Sequence, residues 1–178
     1  QVCVDHGRGL FTISCHLSRS LVEEGATLAR GDVLGLSGAS GMEFVLCFPW
    51  VSPHLHLYVL LEGEPVDPFG CVEHGETPLW RKGNDPAPHE GPADDEVEQT
   101  SFDPAGVEAG IAACTHAPTR ARLTEIEDPY RRGVEVMLER LFHAPFFAAR
   151  PPLVQGAVER EARLDLPFPA SELKGVVF

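Results

Sequence analysis

Positive charge is scarce in this sequence. Its 178 residues hold 14 Lys and Arg against 27 Asp and Glu, a formal net charge of −13, and the lysines are only Lys82 and Lys174. Neutralising phosphates takes a cluster of cations and none is present, which argues against nucleic acid as a partner. Long apolar runs are missing too: no stretch approaches the roughly 18–20 residues that carry a helix across a bilayer. Nothing near Gln1 reads as a signal peptide. The five cysteines, Cys3, Cys15, Cys47, Cys71 and Cys114, form no C-x-x-C pair, so the usual spacing of a structural zinc site is absent. Their odd number leaves at least one thiol unpaired within the chain, and most are expected to be buried as small hydrophobes.

What is present describes a globular chain. A 43% apolar fraction and a mean hydropathy of −0.07 supply enough apolar surface for a core. The length suits one domain, or a small domain with a subdomain. Gln1 is not an initiator Met and the residues after it read at once as strand, so further sequence is expected upstream.

Residues 1–70 are β-branched and punctuated by glycine, the pattern of short strands and turns. Val2–Asp5 and Leu10–His16 flank His6-Gly7-Arg8-Gly9, a hairpin-like turn. Val33–Leu36 is a further strand, Gly38 and Gly41 bracket a loop, and His54–Leu61 is the most strand-like stretch, ending in the Glu62-Gly63-Glu64 turn. Composition shifts after Gly70. Residues 74–100, with Pro78, Pro86, Pro88 and Pro92 among many acids, read as an acidic linker or surface loop. From Ser101 the pattern turns partly helical: Asp103-Pro104 and Asp128-Pro129 each place an N-cap acid before a first-turn proline. Tyr130, Val134, Leu138, Leu141 and Phe142 recur at helical spacing until Pro145, and Arg163–Phe168 alternates like a strand. Residues 101–178 are therefore expected to form an α+β extension that packs on the first half.

The residues able to do chemistry lie in the first half. Alternation along a strand puts His54, His56 and Tyr58 on one face, and leaves Leu55, Leu57 and Val59 to be buried on the other. Two imidazoles on a rigid ribbon suit either zinc binding or proton transfer. In Leu10–Ser18 the same parity places Thr12, Ser14 and His16 together on a polar side, with Phe11, Ile13 and Cys15 opposite. Taken alone, His54 and His56 read equally well as surface residues, and His16 by itself reads first as a satisfied surface histidine. Convergence of His16 with the other two would decide for chemistry.

Several motifs in order carry a resemblance. His6-Gly7-x-Gly9 is followed by His16-Leu17-Ser18, then by Leu21-Val22-x-x-Gly25 and Arg30-Gly31-x-Val33-Leu34-Gly35-x-Ser37-Gly38-x-x-Gly41. Pro53-His54-Leu55-His56 and Gly63-x-Pro65-Val66-Asp67-Pro68 complete the series. Residues 2–70 thereby resemble the lysostaphin/LytM-type zinc metalloendopeptidases. The resemblance implies a mainly β fold, with 1–73 as the C-terminal portion of a metallopeptidase-like domain whose antiparallel sheet carries a groove. It implies hydrolysis of peptide bonds in bacterial peptidoglycan by metal-activated water, in the cell envelope, periplasm or secreted space. His56 matches a zinc ligand of the family. His54 and His16 match the two histidines beside the reacting water, where one imidazole moves a proton and another stabilises the oxyanion.

The departures from that pattern are local. The family takes two further zinc ligands from an upstream His-x-x-x-Asp, and none of the eight histidines here is followed four residues later by Asp. The usual Tyr-x-His reads Ser14-Cys15-His16. Met42–Ser52 replaces a short loop, either as an apolar lid over the groove or as a packed hairpin. Two readings follow: an enzyme whose remaining ligands lie before Gln1, or a degenerate, inactive peptidase-like domain that binds peptidoglycan or regulates a hydrolase. Val22–Gly41 also resembles a barrel-sandwich carrier domain, but that stretch lacks the carrier lysine.

Overall fold

The computed structural model describes residues 1–41, 52–82, 97–156 and 158–166. Most of the Met42–Ser52 insertion and the centre of the acidic stretch lie outside the described residues, as do the last two positions of the Arg163–Phe168 alternation.

Among the described residues, six strands form two antiparallel sheets. β1 (Val2–Asp5), β2 (Leu10–Cys15), β5 (His56–Leu61) and β6 (Glu64–Pro65) pair in the order β1-β2-β5-β6, while β3 (Leu17–Ser20) pairs with β4 (Gly35–Ser37). Both tight turns of the larger sheet use positive φ: Gly7, Arg8 and Gly9 join β1 to β2, and Glu62 and Gly63 join β5 to β6. The loop after β4 obeys a different constraint. A Cβ at Gly38 would press on the backbone of Ser18, and one at Gly41 would lie 3.4 Å from His16 Nδ1. The Gly-x-x-Gly spacing is thus a matter of close approach to the His16–Ser18 segment. Ser18 adds to it by donating through Oγ to the carbonyls of Leu36 and Ser37, each at 3.2 Å.

Among the described residues, three α-helices follow: α1 (Pro104–Ala113), α2 (Ala117–Thr124) and α3 (Pro129–Phe142). Two start as expected. Asp103 accepts from the amides of Ala105 and Gly106, and Asp128 accepts from that of Arg131, so each carboxylate satisfies amides left open at the helix start. α3 buries Gly133, Val136, Met137 and Arg140 most deeply; Val134, Leu138 and Leu141 flank that stripe. The apolar periodicity marked the flank, because the deep stripe contains a glycine and an arginine.

The sheet is covered on both sides. On one, Phe11, Ile13, Cys15 and Leu60 share a core with Val107, Ile111, Leu123, Val136, Met137 and Leu153 of the helical half. On the other, Leu10 and Val59 pack with Leu79, Trp80 and Leu164. The stretch read as a linker from residue 74 therefore contributes Leu79 and Trp80 to a core, two apolar residues outweighing their acidic neighbours. At its far end Thr100 is buried, its amide and hydroxyl both donating to the Asp5 carboxylate. Among the described residues the extension's β structure is limited to isolated bridges, including a parallel one between Trp80 and Leu164.

The strand reading of residues 54–61 needs correction. Val59 is buried, but Leu55 and Leu57 are 53% and 41% exposed. The register pairs Cys15 with His56, Ile13 with Tyr58 and Phe11 with Leu60. The imidazole side of β5 is therefore the side that runs down into the main core, and it is polar only at its tip.

Gly106 shows how tightly the helical layer is seated. A Cβ there would fall on the carbonyl oxygen of Pro152, and backbone cannot step aside as a flexible side chain can. Gly→Ala within a helix ordinarily gains up to about 1 kcal/mol. Gly106→Ala is expected instead to lose about 2 kcal/mol through overpacking, read as a lower urea midpoint at unchanged m-value.

Candidate active site

Three imidazoles meet where the two sheets join. The His16 ring lies 5.2 Å from that of His54 and 5.5 Å from that of His56, centroid to centroid. The bridge between Gly38 and His54 brings the small sheet against the start of β5. Strand parity by itself does not produce this meeting. His56 pairs with Cys15, so an extended His16 would point to the opposite face. His16 instead has φ 60, the left-handed region that β-carbon sterics disfavour. Alternation breaks there, the chain passes from β2 into β3, and the ring comes round to the other two. A non-glycine residue held in that region is costly and marks a position worth a functional hypothesis.

Two of the rings are oriented by backbone carbonyls. His16 Nδ1 lies 2.7 Å from Ser40 O, and His54 Nδ1 lies 3.1 Å from Ser52 O. A carbonyl only accepts, so each Nδ1 carries a proton, and in a neutral ring Nε2 then carries the lone pair. His56 stacks on Tyr58 at 4.5 Å with 23° between the planes. His16 is half-buried, and His54 and His56 are exposed. The cluster therefore gathers three imidazoles at one end of the two central strands of the larger sheet.

The other motif residues serve the scaffold. His6 Nε2 bonds Thr12 Oγ1 at 2.8 Å, and burial lowers its pKa, with the charge of Asp5 opposing and that of Arg163 adding. Asp67 Oδ1 accepts from the Phe69 amide, closing the turn after β6. Among the described cysteines, Cys15 and Cys114 are buried, Cys3 and Cys71 are half-buried, and no disulfide joins any two of them. Burial, with Asp5 nearby, pushes Cys3 up to about 12, which suits an inert core thiol.

Residues 1–68 match peptidase family M23. The resemblance to the lysostaphin/LytM-type peptidases is thus borne out over the M23 segment. An uncharacterized metalloprotease of Haemophilus influenzae is 37% identical over 68 residues, which is 38% of this chain and 13% of that protein. Peptidoglycan DD-endopeptidase ShyA of Vibrio cholerae is 36% identical over 66 residues, 37% of this chain and 14% of that protein. The chain thus spans only a small part of the length of these relatives. No solved structure matches.

Zinc, the metal that the M23 likeness implies, is not accommodated by the described residues alone. A catalytic zinc takes three protein ligands and keeps a fourth position open. Among the described residues, no group of three or more His, Cys, Asp or Glu is placed to hold a metal ion. The sequence resemblance casts His56 alone as an expected ligand, and a single imidazole does not retain the ion. Among the described residues, too, no helix is long and apolar enough to cross a membrane.

One neighbour of the site had no signal in the sequence. Phe142, the last residue of α3, meets Tyr58 edge-on at 5.7 Å and 87°. It stood in the helical periodicity as one more core position, and only the packing of α3 across the sheet brings it to β5.

Proposed function

We propose that the M23 segment contributes the imidazole side of a peptidase active site that hydrolyses peptide bonds of peptidoglycan. The observation that supports this reading is the meeting of His16 and His54 as Nδ1-protonated rings. An Nε2 lone pair accepts a proton from an attacking water, and the same imidazole, once protonated, donates to the oxyanion that forms at the carbonyl. Two such rings 5.2 Å apart suit a division of those tasks. His56, in the ligand position of the motif, would be one of three protein ligands in a zinc-dependent enzyme, the other two coming from outside the described residues. The relatives named metalloprotease and peptidoglycan endopeptidase support the substrate class and the cell envelope as its location.

A second reading has its own support. The want of a three-ligand group among the described residues favours a peptidase-like module that binds peptidoglycan peptides without cleaving them. Cross-linked muropeptides incubated with the natural protein separate the two. The enzyme reading expects new peptide termini by mass spectrometry, about one zinc per chain, and loss of cleavage on chelation. Saturable binding with intact peptides and no zinc would establish the module instead.

A further inference from the structure

We propose that Phe142 is a positioning residue for His56, acting through Tyr58, so that the helical half outside the M23 match is a working part of the site. The inference rests on the reading that His56 belongs to that site, and it starts from a difference among the three histidines. His16 and His54 are each oriented by a hydrogen bond from Nδ1 to a backbone carbonyl. No such bond orients His56 among the described residues; its ring plane is set by stacking on Tyr58 and by the neighbouring His16 ring. The orientation of Tyr58 therefore passes directly to His56, and Phe142 closes against Tyr58 at 87°, the edge-to-face geometry that aromatic quadrupoles prefer.

Phe142 is itself held in place. Helix α3 crosses the sheet and is fastened to it at both ends. Near its start, Tyr130 Oη donates to Asp5 Oδ2 on β1 at 2.9 Å. In its last turn, Arg140 pairs with Glu64 on β6 and donates to Pro151 O at 2.7 Å. Phe142 is two residues further on. Although 37% exposed, it is thus carried by a helix whose register on the sheet is set by two long-range polar contacts. A ring that served only to fill the core would be buried; this one lies at the surface, beside the ring that supports His56.

The test compares Phe142→Ala and Phe142→Tyr in the intact protein, with Phe142→Leu in place of the alanine variant should that fail to fold. The first readout is the ring-proton NMR spectrum of the histidines. Loss of the Phe142 ring is expected to release the Tyr58 stack and move the His56 ring protons downfield. His6, at the opposite end of β2 from His16 and bonded to Thr12, should stay unchanged, and Phe142→Tyr should restore the native positions. The second is muropeptide cleavage, in which kcat is expected to fall about tenfold with KM little changed, the signature of a displaced group rather than of lost substrate binding. Native His56 resonances in the alanine or leucine variant would overturn the proposal. So would shifts spread evenly over His6, His16, His54 and His56, which mark general loosening. If the wild-type protein cleaves nothing, the proposed function fails, while the NMR comparison still decides the role of Phe142.

Discussion

His54→Ala is expected to lower muropeptide cleavage by about two to three orders of magnitude, the range over which a positioned acid–base or oxyanion group usually acts. The fold should survive it. His54 is exposed and its ring bonds the carbonyl of Ser52 two residues away, so thermal stability should stay within about 0.5 kcal/mol of wild type. The separation of these two effects is the point of choosing this residue. His16→Ala would confound them, because alanine at φ 60 keeps the strain and loses the bond to Ser40 O that offsets it. Initial rates on a cross-linked muropeptide, measured beside a melting curve, give the answer. Undiminished cleavage with His54 absent would remove it from the proposed mechanism and leave only a surface histidine.

Glu64→Ala is expected to cost about 3 kcal/mol, the lower end for removing one partner of a buried ion pair. The asymmetry of the pair sets the size. The Arg140 side chain is 3% exposed and that of Glu64 is 43% exposed. Truncating the glutamate thus strands a charge in the protein interior, with Pro151 O as its remaining hydrogen-bond partner. Desolvation already holds the Arg140 pKa below its ordinary value, with the nearby Arg150 charge adding to it and Glu64 opposing. Arg150 loses the same partner. Adding Arg140→Met to Glu64→Ala should recover much of the loss, since an apolar side chain of similar reach has no charge to strand. Urea denaturation of the single and double variants tests this. A Glu64→Ala variant within about 1 kcal/mol of wild type, below the range for a broken buried pair, would mean that water reaches Arg140 and that the ion pair does not fasten α3 to the sheet.

Much of this molecule could be read in advance, and the reasons are local. The N-caps at Asp103 and Asp128 follow from a carboxylate one residue ahead of a proline that fits the first helical turn. The β1–β2 turn follows from Gly7 and Gly9, which accept positive φ at little cost. Alternation correctly set His56 and Tyr58 side by side. The same rule failed where it had to be carried past a strand end: it assigned His16 to the wrong face, since nothing in Ser14-Cys15-His16 announces a left-handed residue. It also left Leu55 and Leu57 to a buried face that the fold leaves open. Arg140, charged and yet in the deepest stripe of α3, was invisible to a search for apolar spacing, because its burial depends on Glu64 in a distant strand.

By itself, then, the amino-acid order determined β1, β2 and β5 with the turns that follow each of β1 and β5, the capped starts of two helices, and the histidine motifs that bear the M23 likeness. Those properties depend on neighbours a few residues apart, where backbone sterics and side-chain alternation act. The tertiary structure alone decided that His16 turns back toward His54 and His56, that Leu79 and Trp80 enter a core, and that Phe142 reaches Tyr58. Each of these depends on elements distant in the chain being packed against a common sheet, and close packing is a property of the assembled fold that no single segment carries.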